Sequence, residues 1–205
     1  MSNSHKQLIN DLTESGVLKS EAIIKSFNKI DRNDFVSDEF QKIAYSDIPL
    51  PTLANQTISQ PTTVAFMFEL LGVNSGDKIL DVGSGSGWTT AILADLTGQK
   101  GRVWGVEIIP ELVKLGNNNL SKYNFNIAKI LFAKKLGLPE KAPFDKILVS
   151  AAAERIPTEL IDQLKKGGTM VIPVRNSIIK LTKDEIGNIS ETEFLGFVFV
   201  PLVNI

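Results

Sequence analysis

Residues 78–87 read Lys-Ile-Leu-Asp-Val-Gly-Ser-Gly-Ser-Gly, and this stretch decides the fold class. A short apolar run leads into three glycines at alternate positions, Gly83, Gly85 and Gly87, and a helical pattern begins at once with Trp88. Glycines between a strand and a helix let the backbone turn sharply, and they let a ligand lie against the main chain without a β-carbon in the way. The stretch therefore predicts a strand, a ligand-binding loop and a helix, in that order.

Around this stretch, short and long apolar segments alternate along the chain. The short segments predict strands over residues 78–82, 102–107, 127–132, 144–149 and 169–174. The long segments predict helices over residues 61–71, 88–96, 110–120 and 157–164. Because the strands are apolar on both faces, we expect an α/β fold with a Rossmann-like, mostly parallel sheet and helices on both faces. Gly167 and Gly168 are expected to form the turn before the fifth strand.

The sequence changes character after residue 174. Residues 177–183 and 193–200 have the composition of strands, and the connection between them leaves no room for a crossover helix. They therefore predict an antiparallel C-terminal hairpin that finishes the sheet. A parallel sheet finished in this way is the architecture of the common S-adenosylmethionine-dependent methyltransferase fold.

The first 60 residues differ from the segment that follows them. Their apolar spacing predicts two helices, over residues 5–15 and 20–30. Residues 45–61 contain three prolines and many polar side chains, which predicts a long loop that is either ordered or disordered. We expect a single domain over residues 1–205, in which 1–60 form a helical N-terminal extension and substrate loop and 61–205 form a cofactor-binding α/β core.

The composition argues against several kinds of chemistry. The formal net charge of −1 gives no overall basic field that would attract nucleic acid or acidic membranes. The chain has no cysteine, which excludes disulfides, thiolate metal sites and a cysteine nucleophile. Its one histidine, His5, argues against a catalytic triad or a histidine-rich metal site and is expected to be solvated. We expect a cytoplasmic monomer that uses no metal and binds neither nucleic acid nor membrane.

The spacing of the glycines separates two classes of cofactor. In dinucleotide-binding loops the third glycine follows the second by three residues, whereas Gly87 follows Gly85 by two. The loop is similar to that of S-adenosylmethionine-dependent methyltransferases, where Asp81 could hold the ammonium group of the cofactor, directly or through water. Glu107 ends the next strand, 20 residues after Gly87, and a carboxylate there can accept hydrogen bonds from two ribose hydroxyls.

Five segments resemble the protein-L-isoaspartate O-methyltransferase family, and they are spread over nearly the whole chain. They are residues 32–36, 45–51, 56–61, 142–147 and 199–203. The resemblance implies methyl transfer from S-adenosyl-L-methionine to the carboxylate of isoaspartyl residues in damaged proteins and peptides, with S-adenosyl-L-homocysteine as product. It also implies that Ser59 lies between cofactor and substrate carboxylate. The alternative for Ser59 is an N-cap of the helix that follows it.

The glycine loop and the resemblance together give the expected site. Ser59 is the expected catalytic residue. The residues expected to contact the cofactor are Gln56, Thr57, Ile58, Ser59, Asp81, Gly83, Ser84, Gly85, Gly87, Glu107, Ile108, Ala133 and Lys134. Ala133 and Lys134 stand where the family has Asp-Gly, so apolar walls such as Ile108 or Leu136 would hold the adenine.

The loop before Gln56 departs from the family, which usually has glycines at the positions of Leu53 and Asn55. If the backbone is left-handed there, Leu53 would resist that conformation and Asn55 would tolerate it. Three functions stay open: an isoaspartyl methyltransferase, a methyltransferase with another acceptor, and a catalytically impaired cofactor-binding module. The glycine spacing disfavours a nicotinamide enzyme.

Overall fold

The computed structural model describes residues 4–203, and a seven-stranded sheet lies at its centre. The sheet strands are β3 (Lys78–Val82), β4 (Arg102–Glu107), β5 (Ala128–Phe132), β6 (Phe144–Val149), β7 (Leu164–Val174), β8 (Ser177–Lys183) and β9 (Ile189–Leu195). A separate two-stranded ribbon is formed by β1 (Leu50–Pro51) and β2 (Thr57–Ile58). The helices are α1 (His5–Glu14), α2 (Glu21–Lys29), α3 (Pro61–Leu71), α4 (Trp88–Thr97), α5 (Pro110–Ser121) and α6 (Thr158–Gln163).

The strands lie in the order β5-β4-β3-β6-β7-β8-β9. The first five are parallel to one another, and β8 and β9 add antiparallel pairs, which confirms the predicted sheet and its C-terminal hairpin. The chain runs outward from β3 to β4 and β5 on one side, and then to β6 and β7 on the other. Such a reversal opens a crevice at the carboxyl ends of the strands, which is where open α/β sheets bind ligands.

Alternate residues of each strand enter two different hydrophobic clusters. Ile79 and Leu148 belong to one cluster, while their neighbours Leu80 and Ile147 belong to the other. The first cluster includes the buried faces of α1 to α4, and the second includes Leu160 of α6. The predicted helices on both faces are confirmed, although the cover is unequal because most helices pack on one face.

The N-terminal helices pack on the sheet through the first of these clusters. Leu8 of α1 and Phe27 of α2 are fully buried in it. At the start of α2, the Ser20 hydroxyl and the main-chain N–H groups of Lys19 and Ser20 all donate to the carboxylate of Glu69 on α3. These bonds fix the extension against the α/β core, and the helix begins at Glu21, within one residue of the predicted start.

The expectation that His5 is solvated is wrong. Its Nε2 donates a hydrogen bond to the main-chain oxygen of Phe27 at 2.8 Å, and its ring stacks on Tyr45 with centroids 5.6 Å apart. Its side chain is 21 % exposed. Burial of Leu8 and Leu12 on the same helix brings the imidazole against α2 and the segment that follows it.

Three expected boundaries also need correction. Residues 45–61 are not a plain loop, because β1 and β2 pair within them. Strand β7 begins at Leu164, which pairs with Phe144 across a register shift, so Gly167 and Gly168 lie within a strand rather than in a turn. Strand β9 ends at Leu195 instead of residue 200, because Gly196 turns the chain out of the sheet with φ +97°.

Neither a membrane-spanning helix nor a cluster of metal ligands is found among the described residues. No helix within residues 4–203 has the length and apolar character needed to cross a bilayer. Over the same residues, no three His, Asp or Glu side chains come together so that they could hold a metal ion.

Candidate active site

A cavity of about 200 Å³, open to solvent, lies at the carboxyl ends of β3, β4 and β6. Most of the predicted site residues line it: Gln56, Thr57, Ile58, Ser59, Gly83, Ser84, Gly85, Glu107, Ile108 and Ala133. The topology thus brings two sequence-distant segments, the run around Ser59 and the glycine loop, to one place. Asp81, Gly87 and Lys134 do not line the cavity, and their contact with a cofactor stays a prediction.

The glycine loop requires glycine for two different reasons. Gly83, Gly85 and Gly87 all have left-handed backbones, with φ of +75°, +50° and +88°. At Gly87 a β-carbon would also lie 2.9 Å from the main-chain oxygen of Gly116 on α5. Gly83 and Gly85 therefore expose main chain to the cavity, whereas Gly87 allows α4 and α5 to approach each other closely.

Asp81 supports the loop from within the core. It is completely buried, and its Oδ2 accepts hydrogen bonds from the hydroxyls of Thr89 and Thr90 at 2.8 and 2.6 Å. Burial raises the pKa of its carboxyl to about 6, and the two threonine bonds only partly oppose that rise. Its Oδ1 has no hydrogen-bond partner within residues 4–203. A positive charge in the cavity would stabilise the ionised form of this carboxyl.

Glu107 joins the glycine loop to the next strand. Its Oε1 accepts hydrogen bonds from the N–H groups of Ile108 and Ile109 at 2.7 and 3.0 Å, and its Oε2 accepts one from Gly85 at 3.1 Å. These bonds fix the carboxylate in the cavity wall. Each carboxylate oxygen has two lone pairs, so Oε2 retains one acceptor position for a hydroxyl of a bound ligand.

The wall beyond Glu107 is largely apolar. Ile108 and Leu136 line it together with Ala133, while Lys134 is exposed outside it. The loop that includes Leu136 is held by Gln163 of α6, whose Oε1 accepts from Leu138 N at 2.6 Å and whose Nε2 donates to Leu136 O at 3.1 Å. Sequence reasoning missed Gln163, because nothing in its own segment marks a glutamine that reaches back 25 residues.

Ser59 lies on the other side of the cavity, between β2 and α3. Its hydroxyl makes no hydrogen bond in the part of the chain from 4 to 203. The N-cap interpretation of Ser59 is wrong, because Gln60 is the N-cap residue and Asp47 accepts hydrogen bonds from the N–H and hydroxyl of Thr62. Since Asp47 caps α3 from a distance, the Ser59 hydroxyl is left available to a ligand.

The turn between β1 and β2 has an unusual backbone. Ala54 and Asn55 are both left-handed, with φ of +55° and +57°, whereas Leu53 is not. The prediction that Asn55 tolerates this conformation is confirmed. The loop avoids it at Leu53 by placing the second left-handed residue at Ala54, a conformation that costs an alanine roughly 1 kcal/mol or more.

Two further parts of the chain complete the wall. Trp88, at the start of α4, lines the cavity and packs edge-on against Phe27, and its Nε1–H has no partner within residues 4–203. Residues 200–203 line the cavity as well, because Ala152 N donates to Val200 O and Leu202 N donates to Ala152 O. This tail lies outside regular strands, so no periodic pattern in the sequence marks it.

The comparisons with known proteins agree with this geometry. A family model described as protein-L-isoaspartate(D-aspartate) O-methyltransferase matches residues 3–205. The chain belongs to this family. The predicted resemblance to the protein-L-isoaspartate O-methyltransferases is thereby confirmed over nearly the full length.

Individual members of the family are similar to this chain along its length. The protein-L-isoaspartate O-methyltransferase of Ignicoccus hospitalis is 39 % identical over 209 residues, which cover 99 % of each chain. That of Fervidobacterium nodosum is 43 % identical over 187 residues, 89 % of this chain and 94 % of that one. A crystal structure described as the Plasmodium falciparum enzyme in complex with S-adenosyl-L-homocysteine has a TM-score of 0.86 and 25 % identity, and covers 98 % of this chain and 99 % of its own.

The cavity fits the cofactor of a protein-L-isoaspartate O-methyltransferase. Two buried polar atoms in its lining residues, Ser84 Oγ and Trp88 Nε1, have no partner within residues 4–203. Buried polar atoms are usually paired in a native protein, so these two mark a polar part of an otherwise largely apolar wall. The open main chain at Gly83 and Gly85, the spare acceptor on Glu107 and the apolar wall at Ala133 match the methionine, ribose and adenine parts of S-adenosyl-L-methionine.

Proposed function

We propose that this protein methylates the carboxylate of isoaspartyl residues in damaged proteins and peptides, using S-adenosyl-L-methionine and releasing S-adenosyl-L-homocysteine. The observation that supports this most strongly is the position of Ser59. Ser59 lines the same cavity as the glycine loop and Glu107, and its hydroxyl has no hydrogen-bond partner within residues 4–203. Membership of the protein-L-isoaspartate O-methyltransferase family supports both the reaction and the substrate.

The residues of the cavity would hold the cofactor along the carboxyl edge of the sheet. Glu107 would accept a ribose hydroxyl, Ile108 and Ala133 would enclose the adenine, and Gly83 and Gly85 would lie against the methionine part. When bound, S-adenosyl-L-methionine supplies a methyl group that its positively charged sulfur already makes electrophilic. Asp81, buried behind the loop, would favour that positive charge when ionised.

The acceptor side needs orientation more than acid–base chemistry. An isoaspartyl carboxylate is ionised at neutral pH and is itself the nucleophile, so no strong base has to remove a proton. No histidine lines the cavity, which agrees with this requirement. The Ser59 hydroxyl would donate a hydrogen bond to the carboxylate and set its angle of approach, and such positioning provides most of the rate in a bimolecular transfer.

A second candidate is a methyltransferase of the same fold with another carboxylate acceptor. The observation that favours it is the turn between β1 and β2, where Ala54 and Asn55 take the left-handed positions and Leu53 is 47 % exposed. A family member that binds cofactor without efficient turnover is the third candidate. The turn between β1 and β2 is the feature on which the three candidates differ, because it is the part of the site that departs from the family.

Three properties stay predictions from the composition. We propose that the chain acts as one domain, with residues 1–60 closing the acceptor side and residues 61–205 binding the cofactor. We further propose that it is a monomer. The cytoplasm is its proposed location, where it would act on proteins and peptides without nucleic acid or membrane.

Methyl transfer to an isoaspartyl peptide, with the aspartyl peptide as control, tests the proposed function directly. The wild-type protein is expected to methylate only the isoaspartyl peptide. Ser59→Ala is expected to lower kcat about 10- to 100-fold, because the acceptor loses a positioning donor, while the Kd for S-adenosylhomocysteine changes less than about twofold.

Ser37→Ala is the matched control. The Ser37 hydroxyl is likewise unpaired within residues 4–203, but it is buried and does not line the cavity. Its kcat should equal that of the wild type. Unchanged activity in Ser59→Ala would remove Ser59 from the mechanism, and methylation of neither peptide by a wild-type protein that binds S-adenosylhomocysteine would favour the second or third candidate.

A further inference from the structure

Arg32 is a cation buried beside the acceptor side of the cavity. It begins a 3-10 turn over Arg32–Phe35, and its side chain is 0 % exposed. Its guanidinium donates only to main-chain oxygens. Nη1 donates to Ala44 and to Ser46 at 3.2 Å, and Nη2 donates to Ile48 at 2.9 Å and to Ser59 at 3.1 Å.

This arrangement leaves the charge of Arg32 without a direct counter-ion. Among residues 4–203 it forms no ion pair, and the carboxylate of Asp47 is occupied by Thr62 and Gln60. Burial lowers the pKa of Arg32 to about 10, and Asp47 only partly opposes this, so the group stays protonated at neutral pH. Burying a charge among neutral partners is unfavourable, and a simple cross-link between loops would not require a charge.

The same guanidinium contacts two residues that line the cavity. Through Nη2 it is bonded to the main chain of Ser59, and its Cζ lies 5.4 Å from the centroid of the Trp88 ring. Ser59 and Trp88 both line the cavity, on the acceptor side and at the start of α4. On the far side of Ser59, Asp47 holds Gln60 and Thr62. The main chain on either side of the Ser59 hydroxyl is therefore fixed.

We propose that Arg32 is a positioning residue for methyl transfer, which holds the Ser59 main chain at a set distance from the Trp88 wall and so aims the Ser59 hydroxyl at the acceptor carboxylate. The assignment rests on the proposed function. It requires the fork of the guanidinium, because its two Nη atoms together bond four main-chain oxygens, whereas an ammonium has only three donors on a single nitrogen. Arg32 itself contacts neither substrate nor cofactor in this role.

The test compares Arg32→Lys and Arg32→Met with Tyr123→Phe. Tyr123 anchors the same turn to α5, since its hydroxyl accepts from Asp31 N at 2.9 Å and donates to Asp34 at 2.6 Å, but it has no contact with Ser59. Tyr123→Phe thus loosens the turn without removing the bond to Ser59. Each protein is assayed well below its own Tm, and rates are given per folded molecule.

Arg32→Lys and Arg32→Met are expected to lower kcat/KM for the isoaspartyl peptide about 10- to 100-fold, because a small misplacement of a reacting group is enough for such a loss. The Kd for S-adenosylhomocysteine should stay within about threefold, because Arg32 makes no hydrogen bond to the glycine loop or to Glu107 and meets the cofactor half only through the Trp88 ring. Tyr123→Phe should lower Tm but keep kcat/KM within about twofold of wild type. If Arg32→Met does not fold, Arg32→Lys, which keeps the buried charge, decides the question.

Two outcomes would overturn the proposal, and they differ from each other. If the wild type methylates the peptide and Arg32→Lys matches Tyr123→Phe per folded molecule, Arg32 only stabilises the fold. If the kcat/KM loss is matched by an equal loss of S-adenosylhomocysteine affinity, Arg32 shapes the whole cavity and does not position Ser59. A wild-type protein that binds S-adenosylhomocysteine but methylates no isoaspartyl peptide would instead overturn the proposed function itself, and this assignment with it.

Discussion

The two halves of the cavity are built in different ways. The cofactor half lies at the ends of β3 and β4 and the start of α4, and Glu107 ties it together by accepting from Gly85, Ile108 and Ile109. The acceptor half consists of two strands of two residues each and a left-handed turn, and it is held by Arg32 and Asp47.

The difference shows how each half depends on the rest of the chain. Regular strands and helices determine the cofactor half, so its shape follows from local spacing and close packing. The acceptor half has few contacts of its own, and side chains 15 and 27 residues away hold the main chain of this region. Substitutions in the first half should therefore affect folding and cofactor binding, while those in the second should change turnover with a smaller effect on stability.

The largest effect is expected from Gly87→Ala in the cofactor half. The left-handed backbone and a β-carbon 2.9 Å from Gly116 O should together cost about 2–4 kcal/mol of unfolding free energy. Gly72→Ala is the matched control, because Gly72 has φ +59° and no atom within 4 Å of the added carbon. It should cost only about 1 kcal/mol in chemical denaturation. Equal losses in the two variants would mean that the packing of α4 against α5 is looser than the geometry indicates.

A smaller effect, dependent on pH, is expected from Asp81→Asn. Because burial raises the pKa of Asp81 to about 6 in the folded state, the stabilising contribution of its protonated form is complete below the unfolded pKa of about 3.9 and is lost as pH rises through 6. Asparagine is neutral throughout. Without cofactor, the free energy of unfolding of Asp81→Asn relative to wild type should therefore increase by on the order of 2–3 kcal/mol between pH 4 and pH 7.

Asp145→Asn provides a control of opposite sign. Burial acts to raise the pKa of Asp145, but hydrogen bonds from Lys165 and from the N–H of Lys78 outweigh it and leave that pKa lowered. Its stabilising contribution is present above the unfolded pKa and is lost as pH falls, so this variant should lose stability relative to wild type near neutral pH. If the free energies of unfolding of Asp81→Asn and wild type changed with pH in parallel, ionisation of Asp81 would not destabilise the folded state.

The smallest effect is expected from Ala54→Gly in the acceptor half. Glycine removes the cost of the left-handed backbone at φ +55° but gains freedom in the unfolded chain, so the net stabilisation should be about 0.5 kcal/mol. The looser turn should raise KM for the isoaspartyl peptide about twofold, because more order is lost on binding. Asn124→Gly, left-handed at φ +54° outside the cavity, should leave KM unchanged. If KM changed in both variants, the effect on KM would not be specific to the acceptor turn.

The sequence predicted the cofactor half much better than the acceptor half, for a physical reason. Apolar periodicity and glycine spacing are local, so β3, the glycine loop, α4 and Glu107 could be read from about 30 residues. Ser59 was placed by family resemblance, and the structure brings it to the cavity. The bonds from Arg32 and Gln163 could not be foreseen, because they join side chains to main-chain oxygens or N–H groups far along the chain and leave no periodic trace.

Because residues 200–203 form part of the cavity wall, we expect the growing chain to fold before it can bind its ligand tightly. A nascent chain that ends before Val200 already contains Ser59, Glu107 and the glycine loop, which can fold as they emerge. It lacks the segment that pairs with Ala152 and closes one side of the cavity. Ribosome-arrested chains should therefore fold first and bind S-adenosylhomocysteine tightly only once this segment has left the exit tunnel.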